Sequence, residues 1–539
     1  MERPIFAFGA SRHPYRPVDE SDELQHSDIA DSALAYPSSH GNVLGEGWDD
    51  SASNTAAERP PSLAGSLKDQ ANASSDSLSA GQRPFWKLFL AHIGPGFVVA
   101  VGYMDPGNWA TDLAGGSKFQ YKLLLFILVS NCMAVFLQNM AIKVGLVTGC
   151  DLALLSRKTL HPWLNKLIYV VAEIGILATD LAEVIGSAIA LKLLFGIPLV
   201  WGILITGTDV IIILSGLADK YMRYLELGIM FLVLVVGACF GVLMGRANPV
   251  WIDVFKGYLP LEPALLIDQE YLFLAIAIVG ATVMPHNLYI HSYLVQSRSV
   301  DGAGMQIDGF EHQPPLSEEM ELLDSPQSRK LVDDPMFAER IRTALHLSYL
   351  DSAMALTFAL YINSAILIVA GGVFFVRGQN ASEISDAFGL ISTDIGHWAA
   401  VVFAVALLLS GQTSTITGTI AGQVVMEGFT QMRLPLWIRR LVTRAVAIIP
   451  GIAVAIYRGD SGVNDLLVLS QVILSICLPF SVWPLIYFCA NTRIMTVRYN
   501  ALGLSQELSL ANHWVTTVFA VLVGSTLTFL NLFMIYSVL

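Results

Sequence analysis

Charge is what this chain has least of. Only 14% of its 539 residues are Asp, Glu, Lys or Arg, against about 25% in soluble domains. With 54% hydrophobic residues and a mean hydropathy of +0.58, that shortage excludes an ordinary water-soluble protein and points to many membrane spans. Basic charge is scarcer still. Thirty-one Lys and Arg stand against 44 Asp and Glu, for a net charge of −13, and no basic patch suggests a nucleic-acid partner. Cysteine is also sparse. Cys132, Cys150, Cys239, Cys477 and Cys489 have no paired spacing and mostly lie inside apolar runs, which argues against a disulfide framework or a zinc cluster. They read as small buried hydrophobes. Nucleophile triads, phosphate loops and zinc-hydrolase motifs are missing too, so neither an enzyme nor a cofactor is expected.

Residues 1–84 are rich in Ser, Asp, Ala and Pro, lack apolar periodicity, and hold 13 Asp and Glu against 6 Lys and Arg. Such a composition cannot bury enough surface to fold, so an acidic disordered tail is expected ahead of a transmembrane domain over 85–539. The first apolar run begins near Leu88, too far in for a secretory signal peptide.

From there the sequence predicts eleven helices able to cross about 30 Å of hydrocarbon. They lie near 90–116, 121–148, 166–195, 198–216, 224–245, 270–296, 344–375, 396–426, 437–457, 465–490 and 512–538, and are called spans 1 to 11 below. Span 4 is short, and 396–426 has the length of two pieces. Connections after even-numbered spans, with the span ends beside them, carry 17 Lys and Arg against 7 after odd-numbered ones. This bias puts the N-terminus in the cytoplasm and, after eleven crossings, the C-terminus outside or in a lumen. The sequon Asn380-Ala-Ser382 then falls in an outer connection, open to glycosylation, and Asn72-Ala-Ser74 in the cytoplasmic tail.

Two spans contradict themselves. Span 1 carries "GYMDPGNWATD" and span 6 carries "ATVMPHNLYIHS", so Asp105-Pro106-Gly107-Asn108 and Met284-Pro285-His286-Asn287 sit in mid-span. Proline removes a backbone donor and clashes with the carbonyl four residues earlier, so each helix should unwind there. A single proline is often an ordinary kink. Two of them, flanked by Asp, Asn, Met and His and recurring five spans apart, point to a binding site in a five-plus-five inverted repeat with span 11 left over. Asp105 supplies a carboxylate, Asn108 an amide oxygen and Met284 a thioether, while unwinding frees the carbonyls of Gly102 and Ala281. Oxygens alone suit Mg²⁺ or Ca²⁺ as well as transition metals; sulfur favours softer ions such as Mn²⁺, Fe²⁺ or Cd²⁺.

Span 3 holds Glu173, Asp180 and Glu183 among apolar residues. At about 100° per residue the three share one stripe of a helix. Carboxylates in hydrocarbon cost about 2.5–3.5 kcal/mol each on insertion scales and must face the interior. Two readings stand: a proton relay, or structural pairing with cations such as Arg444.

At these residues the sequence resembles the Nramp family of proton-coupled divalent metal transporters. "DPGN" in span 1 and "MPHNLYIHS" in span 6 are that family's signatures, and the likeness continues through "ATDLAEVIGSAIAL" (178–191), "GQTSTITGTIAGQVVMEGF" (411–429) and "NDLLVLSQVILSICLPF" (464–480). It covers about residues 85–539. The resemblance implies an all-α fold with a LeuT-type 5+5 inverted repeat and broken helices 1 and 6. It implies metal ligation by Asp105, Asn108 and Met284, with the carbonyls of Gly102 and Ala281, and with Gln471 joining in some conformations. Gly102 stands where alanine is common, a change that a carbonyl contact survives. It also assigns proton transfer to Asp105, Asp180 and Glu183, and implicates His286 and His291. Glu173 extends that stripe; for His286, lining a gate is the competing role.

The expected activity is uptake of Mn²⁺ or Fe²⁺ with protons across a lipid bilayer, by a monomer at the plasma membrane or in an endosomal or vacuolar one. The rival on the same fold is a Na⁺- or H⁺-coupled amino-acid transporter, whose substrate carboxylate a fixed Asp105 would repel. A metal-sensing receptor would call for a sizeable soluble domain, and only the tail and the 298–340 connection are available.

Overall fold

The computed structural model describes residues 85–215, 222–259, 268–297, 336–377, 383–432, 436–501 and 504–538. The tail assigned to 1–84 and both sequons lie outside the described residues.

All eleven spans form. Span 1 is divided into Pro95–Gly102 and Pro106–Phe119, and span 6 into Gln269–Thr282 and Pro285–Leu294; the halves are 1a, 1b, 6a and 6b below. The remaining spans are Leu124–Thr148, Pro162–Phe195, Leu199–Ser215, Met222–Ala247, Phe337–Val373, His397–Thr430, Leu436–Tyr457, Gly459–Ala490 and Trp514–Val538. Eight of these helices, with 6a and 6b taken together, are long and apolar enough to cross a membrane. The other three crossings are the divided span 1, the 17-residue span 4 and span 9, whose apolar part runs from Leu441 to Tyr457. Span 8, long enough for two pieces, is one unbroken helix. Span 7 begins seven residues earlier than its apolar run, because Arg340 and Arg342 continue the helix beyond the hydrocarbon.

Proline alone does not explain the two breaks. Pro450, Pro479 and Pro484 sit inside spans 9 and 10 without interrupting them. Pro106 and Pro285 instead occupy the first position of a new helix, where the missing N–H costs nothing. Before Pro106 the chain tightens, Tyr103 and Met104 donating to the carbonyls of Ala100 and Val101. Asp105 then turns to extended backbone (φ −67°, ψ 165°) and Met284 does likewise (φ −83°, ψ 130°). Both unwound stretches are short, and both are buried.

The layering follows from burial. The most apolar window of span 6 is 94% buried, those of spans 5 and 11 only 33%, so the broken helices form the centre and spans 5 and 11 the periphery. Alternate connections gather on opposite faces. Lys192, in the last turn of span 3, pairs with Asp460, in the first turn of span 10, and Glu383, ahead of span 8, lines a cleft with Asp460 and Asn464. On the other face, the N–H of Leu152 donates to Ser292 at the end of 6b (2.9 Å), and Lys143 donates to Asn512 ahead of span 11 (2.7 Å). Between spans 10 and 11 lies a two-stranded antiparallel hairpin that the sequence reading did not foresee, β1 (Thr496–Ala501) and β2 (Leu504–Ser509), paired Thr496 to Ser509 through Ala501 to Leu504.

Half-helix 1a is clasped at its start. The buried carboxylate of Asp351 in span 7 accepts from the N–H of Gly94 (3.2 and 3.3 Å) and of Gly96 (2.7 Å), capping the helix from a distant part of the chain. Gly94 sits at φ 150°, and a Cβ on Gly96 would lie 2.8 Å from the Asp351 backbone. Asp351→Ala is expected to cost about 1–3 kcal/mol by stranding those N–H groups, read as a lower unfolding temperature of the purified protein; an unchanged temperature would show the clasp to be dispensable.

Candidate transport site

At the span 1 break the structure joins three of the expected oxygen donors. Asp105 is fully buried, and its Oδ1 accepts from the backbone N–H of Asn108 (2.9 Å) and from Asn108 Nδ2 (2.6 Å). The same Nδ2 reaches the carbonyl oxygen of Gly102 at 3.4 Å. Carboxylate, amide and freed carbonyl are thus neighbours. Asp105 serves as the N-cap of 1b through one oxygen, while Oδ2 makes no hydrogen bond among the described residues.

At the span 6 break, Met284 is fully buried and packs with Ala178 of span 3 and Leu474 of span 10, a cluster separate from the main core. Ala281, one turn back, is also fully buried. The two breaks are tied together by close backbone approaches. A Cβ on Gly102 would lie 2.5 Å from Asn287 Nδ2, so 6b begins against the end of 1a. A Cβ on Gly107 would lie 1.7 Å from Gln471 Nε2. Span 10 therefore touches the start of 1b through Gln471 and, one turn on, Met284 through Leu474. Gln471 thus lies against the start of 1b, with Oε1 buried and making no hydrogen bond among the described residues.

Asn287 was not singled out from the sequence. It is fully buried, and neither amide atom has a hydrogen-bond partner among the described residues. Its signal was present: Asn287 stands three residues after Met284 as Asn108 stands three after Asp105, so D-P-x-N and M-P-x-N are matched positions of the two halves.

Span 3 braces both breaks. A Cβ on Gly175 would meet Pro285 at 3.5 Å, and one on Gly186 would meet Pro106 at 2.0 Å. The acidic stripe faces elsewhere. Arg439 Nη2 donates to both oxygens of Glu173 (3.0 Å each). Arg444 Nη2 donates to Glu183 Oε2 (3.3 Å) and Thr415 Oγ1 (2.7 Å), and its Nη1 donates to the carbonyl of Asp180 (3.1 Å). Two of the cations counted toward the cytoplasmic bias are therefore buried partners of span 3. The structural reading of the stripe is realised for Glu173 and Glu183.

The histidines diverge. His286 Nδ1 lies 3.5 Å from Thr179 Oγ1, beside Asp180. His291 Nδ1 is 2.8 Å from Gln138 Oε1, and Gln138 Nε2 donates to the Tyr103 hydroxyl at 2.7 Å. Asn363 Nδ2 donates to the Tyr103 carbonyl (2.9 Å). A polar chain thus runs from 6b through span 2 to the residue two before Asp105. Gln138, Tyr103 and Asn363 escaped the sequence reading because each is ordinary in its own helix. Among the described residues no three His, Cys, Asp or Glu side chains are grouped to hold a metal ion, so the donors at the breaks are one carboxylate with amides, carbonyls and a thioether.

Eleven spans, two of them broken at buried polar residues, define a multi-pass membrane transporter. The chain belongs to the Nramp family: residues 96–537 match it, under the description Natural resistance-associated macrophage protein-like. It is 47% identical over 422 residues to the divalent metal cation transporter MntH of Nostoc sp., covering 78% of this chain and 87% of that protein. It is 44% identical over 413 residues to the protein of the same name from Listeria innocua, covering 76% and 84%. Among solved structures it is similar to the Eremococcus coleocola manganese transporter crystallised with an aromatic bis-isothiourea compound, at 35% identity, TM-score 0.68, and 84% and 88% coverage.

Removing one partner of a buried ion pair strands the other charge, at about 3–5 kcal/mol. Arg444→Ala, which abandons a fully buried Glu183, should therefore lower the unfolding temperature far more than Lys256→Ala, which breaks an exposed pair with Asp253. Equal effects would mean that Arg444 carries no structural load.

Proposed function

We propose that this protein is a secondary active transporter that moves divalent transition-metal ions, Mn²⁺ or Fe²⁺ foremost and also Cd²⁺, Co²⁺ or Zn²⁺, into the cytoplasm in symport with protons. The observation that carries the reading is the pair at the span 1 break. Asp105 and Asn108 share a hydrogen bond beside the Gly102 carbonyl, and Asp105 Oδ2 has no hydrogen bond among the described residues. A buried carboxylate oxygen without a donor is costly unless a cation or a proton takes it. The names of the relatives, divalent metal cation transporter and manganese transporter, support the same substrate class.

In this mechanism the cation sheds most of its water onto Asp105, Asn108, Met284 and the carbonyls of Gly102 and Ala281, with Gln471 completing the set as the spans move. Met284 supplies the sulfur that favours softer dications over Mg²⁺ and Ca²⁺. A proton leaves Asp105 as the metal binds and passes to the span 3 acids Asp180 and Glu183, with Arg444 and Arg439 holding Glu183 and Glu173 in place. His286, beside Asp180, sits where it can take part. Rocking of spans 1 and 6 against the rest opens the cytoplasmic side, the N-terminus being cytoplasmic and the C-terminus outside or lumenal. External acid and a negative interior both drive uptake.

The amino-acid reading fares worse. Transporters of that kind hold a substrate carboxylate at the N-terminus of a half-helix, and here Asp105 already accepts from the N–H of Asn108 at that position.

In proteoliposomes Asp105→Ala should abolish Mn²⁺ uptake, and retained uptake would refute the site. Met284→Ala should let Ca²⁺ or Mg²⁺ compete with Mn²⁺; unchanged selectivity would sink the sulfur argument. Asp180→Asn should keep metal flux but lose internal acidification, whereas normal coupling would remove span 3 from the proton route.

A further inference from the structure

One buried amide takes no part in the mechanism above. Asn287, in the first turn of half-helix 6b, is fully buried, and neither Oδ1 nor Nδ2 has a hydrogen-bond partner among the described residues. Buried polar groups are normally bonded, and an orphaned one is costly. Other amides around the breaks are anchored through their nitrogens: Asn108 Nδ2 donates to Asp105, Gln471 Nε2 to Ser470 (3.1 Å), and Asn363 Nδ2 to the Tyr103 carbonyl. Packing alone gives residue 287 no reason to be an asparagine.

Its surroundings do. Pro285 bears on Gly175 of span 3, and Asn287, two residues on, lies about 160° round the helix from it, away from span 3 and toward the end of 1a. There its amide fills the space that a side chain at residue 102 would take: a Cβ on Gly102 would lie 2.5 Å from Nδ2 and 2.9 Å from Oδ1. The next turn of 6b faces the same way, since His291 is joined through Gln138 to the Tyr103 hydroxyl. Asn108 meets Gly102 at its carbonyl, through Nδ2. The matched asparagines of the two halves thus converge on one residue, three before Asp105, whose Oδ2 also lacks a hydrogen bond among the described residues. Gln471 is seated in the same manner, its amide where a Cβ on Gly107 would stand and its Oε1 unbonded among the described residues. Two amides from outside span 1 therefore rest on glycines to either side of Asp105, each with a buried oxygen that no described donor holds.

We propose that Asn287 is a further oxygen donor to the transported dication, seated at the site because residue 102 is glycine. A methyl group there would take the place of the amide. A neutral amide oxygen is a hard donor, which suits Mn²⁺ better than Cd²⁺, whereas the thioether of Met284 favours the softer ion. Asn287 thus sets specificity against Met284, keeping a site that contains sulfur open to harder transition-metal ions without adding charge. The inference rests on the reading of the breaks as a metal site.

The test measures Mn²⁺ and Cd²⁺ binding to the purified full-length protein by isothermal titration calorimetry, which needs no turnover. Asn287→Leu, close in size but without an oxygen, should raise Kd about tenfold for Mn²⁺ and no more than about threefold for Cd²⁺. Asn287→Asp, which keeps an oxygen, should bind Mn²⁺ nearly as the unaltered protein does. Gly102→Ala should reproduce the Asn287→Leu pattern, because its methyl displaces the amide. The unfolding temperature of Asn287→Leu should hold or rise, since an unpaired buried amide is removed. Unchanged Mn²⁺ affinity in Asn287→Leu or in Gly102→Ala overturns the proposal. So does equal weakening for the two metals, or Asn287→Asp binding as poorly as Asn287→Leu; either would make Asn287 a packing residue. Asp105→Ala separates this inference from the reading beneath it. If that variant loses Mn²⁺ binding while Asn287→Leu binds normally, the proposal alone falls. If Asp105→Ala still binds Mn²⁺, the site falls and the proposal with it.

Discussion

Everything in this structure depends on how peptide groups are satisfied where two helices stop in the middle of a membrane. Hydrocarbon offers no water to orphaned N–H and C=O groups, so an interruption survives only if neighbours supply the missing bonds or if a cargo does. At the span 1 break a neighbour does. The carboxylate of Asp105 caps the new helix through Oδ1 and leaves Oδ2 over, so the group that holds the backbone is also the one that presents a charge. Capping fixes the orientation of the carboxylate before any cation arrives, and a donor held in position loses little entropy on binding.

The second break is built differently from its counterpart. Met284 has no side-chain cap bond, and its thioether is packed between Ala178 and Leu474. Shape rather than hydrogen bonding holds it. Asn108 is engaged by Asp105 and Gly102, whereas its counterpart Asn287 presses on Gly102 with neither amide atom hydrogen-bonded among the described residues. The two halves of the repeat thus divide the work. One provides a fixed charge; the other provides a packed thioether and an amide without a hydrogen-bond partner among the described residues.

The breaks themselves were legible in the sequence, because a proline beside Asp or Met has little reason to stand in an apolar run unless the helix stops there. Span boundaries were legible only where the helix ends with the hydrocarbon. Span 7 overran its prediction, since hydropathy cannot see a helix continuing into water past Arg340 and Arg342. The hairpin at Thr496–Ser509 was missed although Met495, Val497 and Tyr499 alternate inward, because a short polar connection between two spans gives little reason to look for period two. Asp351, Gln138 and Gln471 act on groups far away in the chain, Asp351 on a glycine 257 residues distant. No local pattern announces such a pairing. The resemblance supplied Gln471, and nothing supplied the other two.

Span 3 keeps its small residues and two of its acids on different faces. Gly175 and Gly186, eleven residues apart, fall within about 20° of each other on the helix and bear on the two break prolines. Glu173 and Asp180 lie about 140–160° around from Gly175, and Glu183 about 80°. The face that braces the broken helices is therefore small and apolar, and Glu173 and Glu183 turn toward the arginines of span 9. Were they on the bracing face, their charge would sit against unwound backbone. Set to the side, Glu173 and Glu183 spend their charge on Arg439 and Arg444, and the capping of half-helix 1b is left to Asp105.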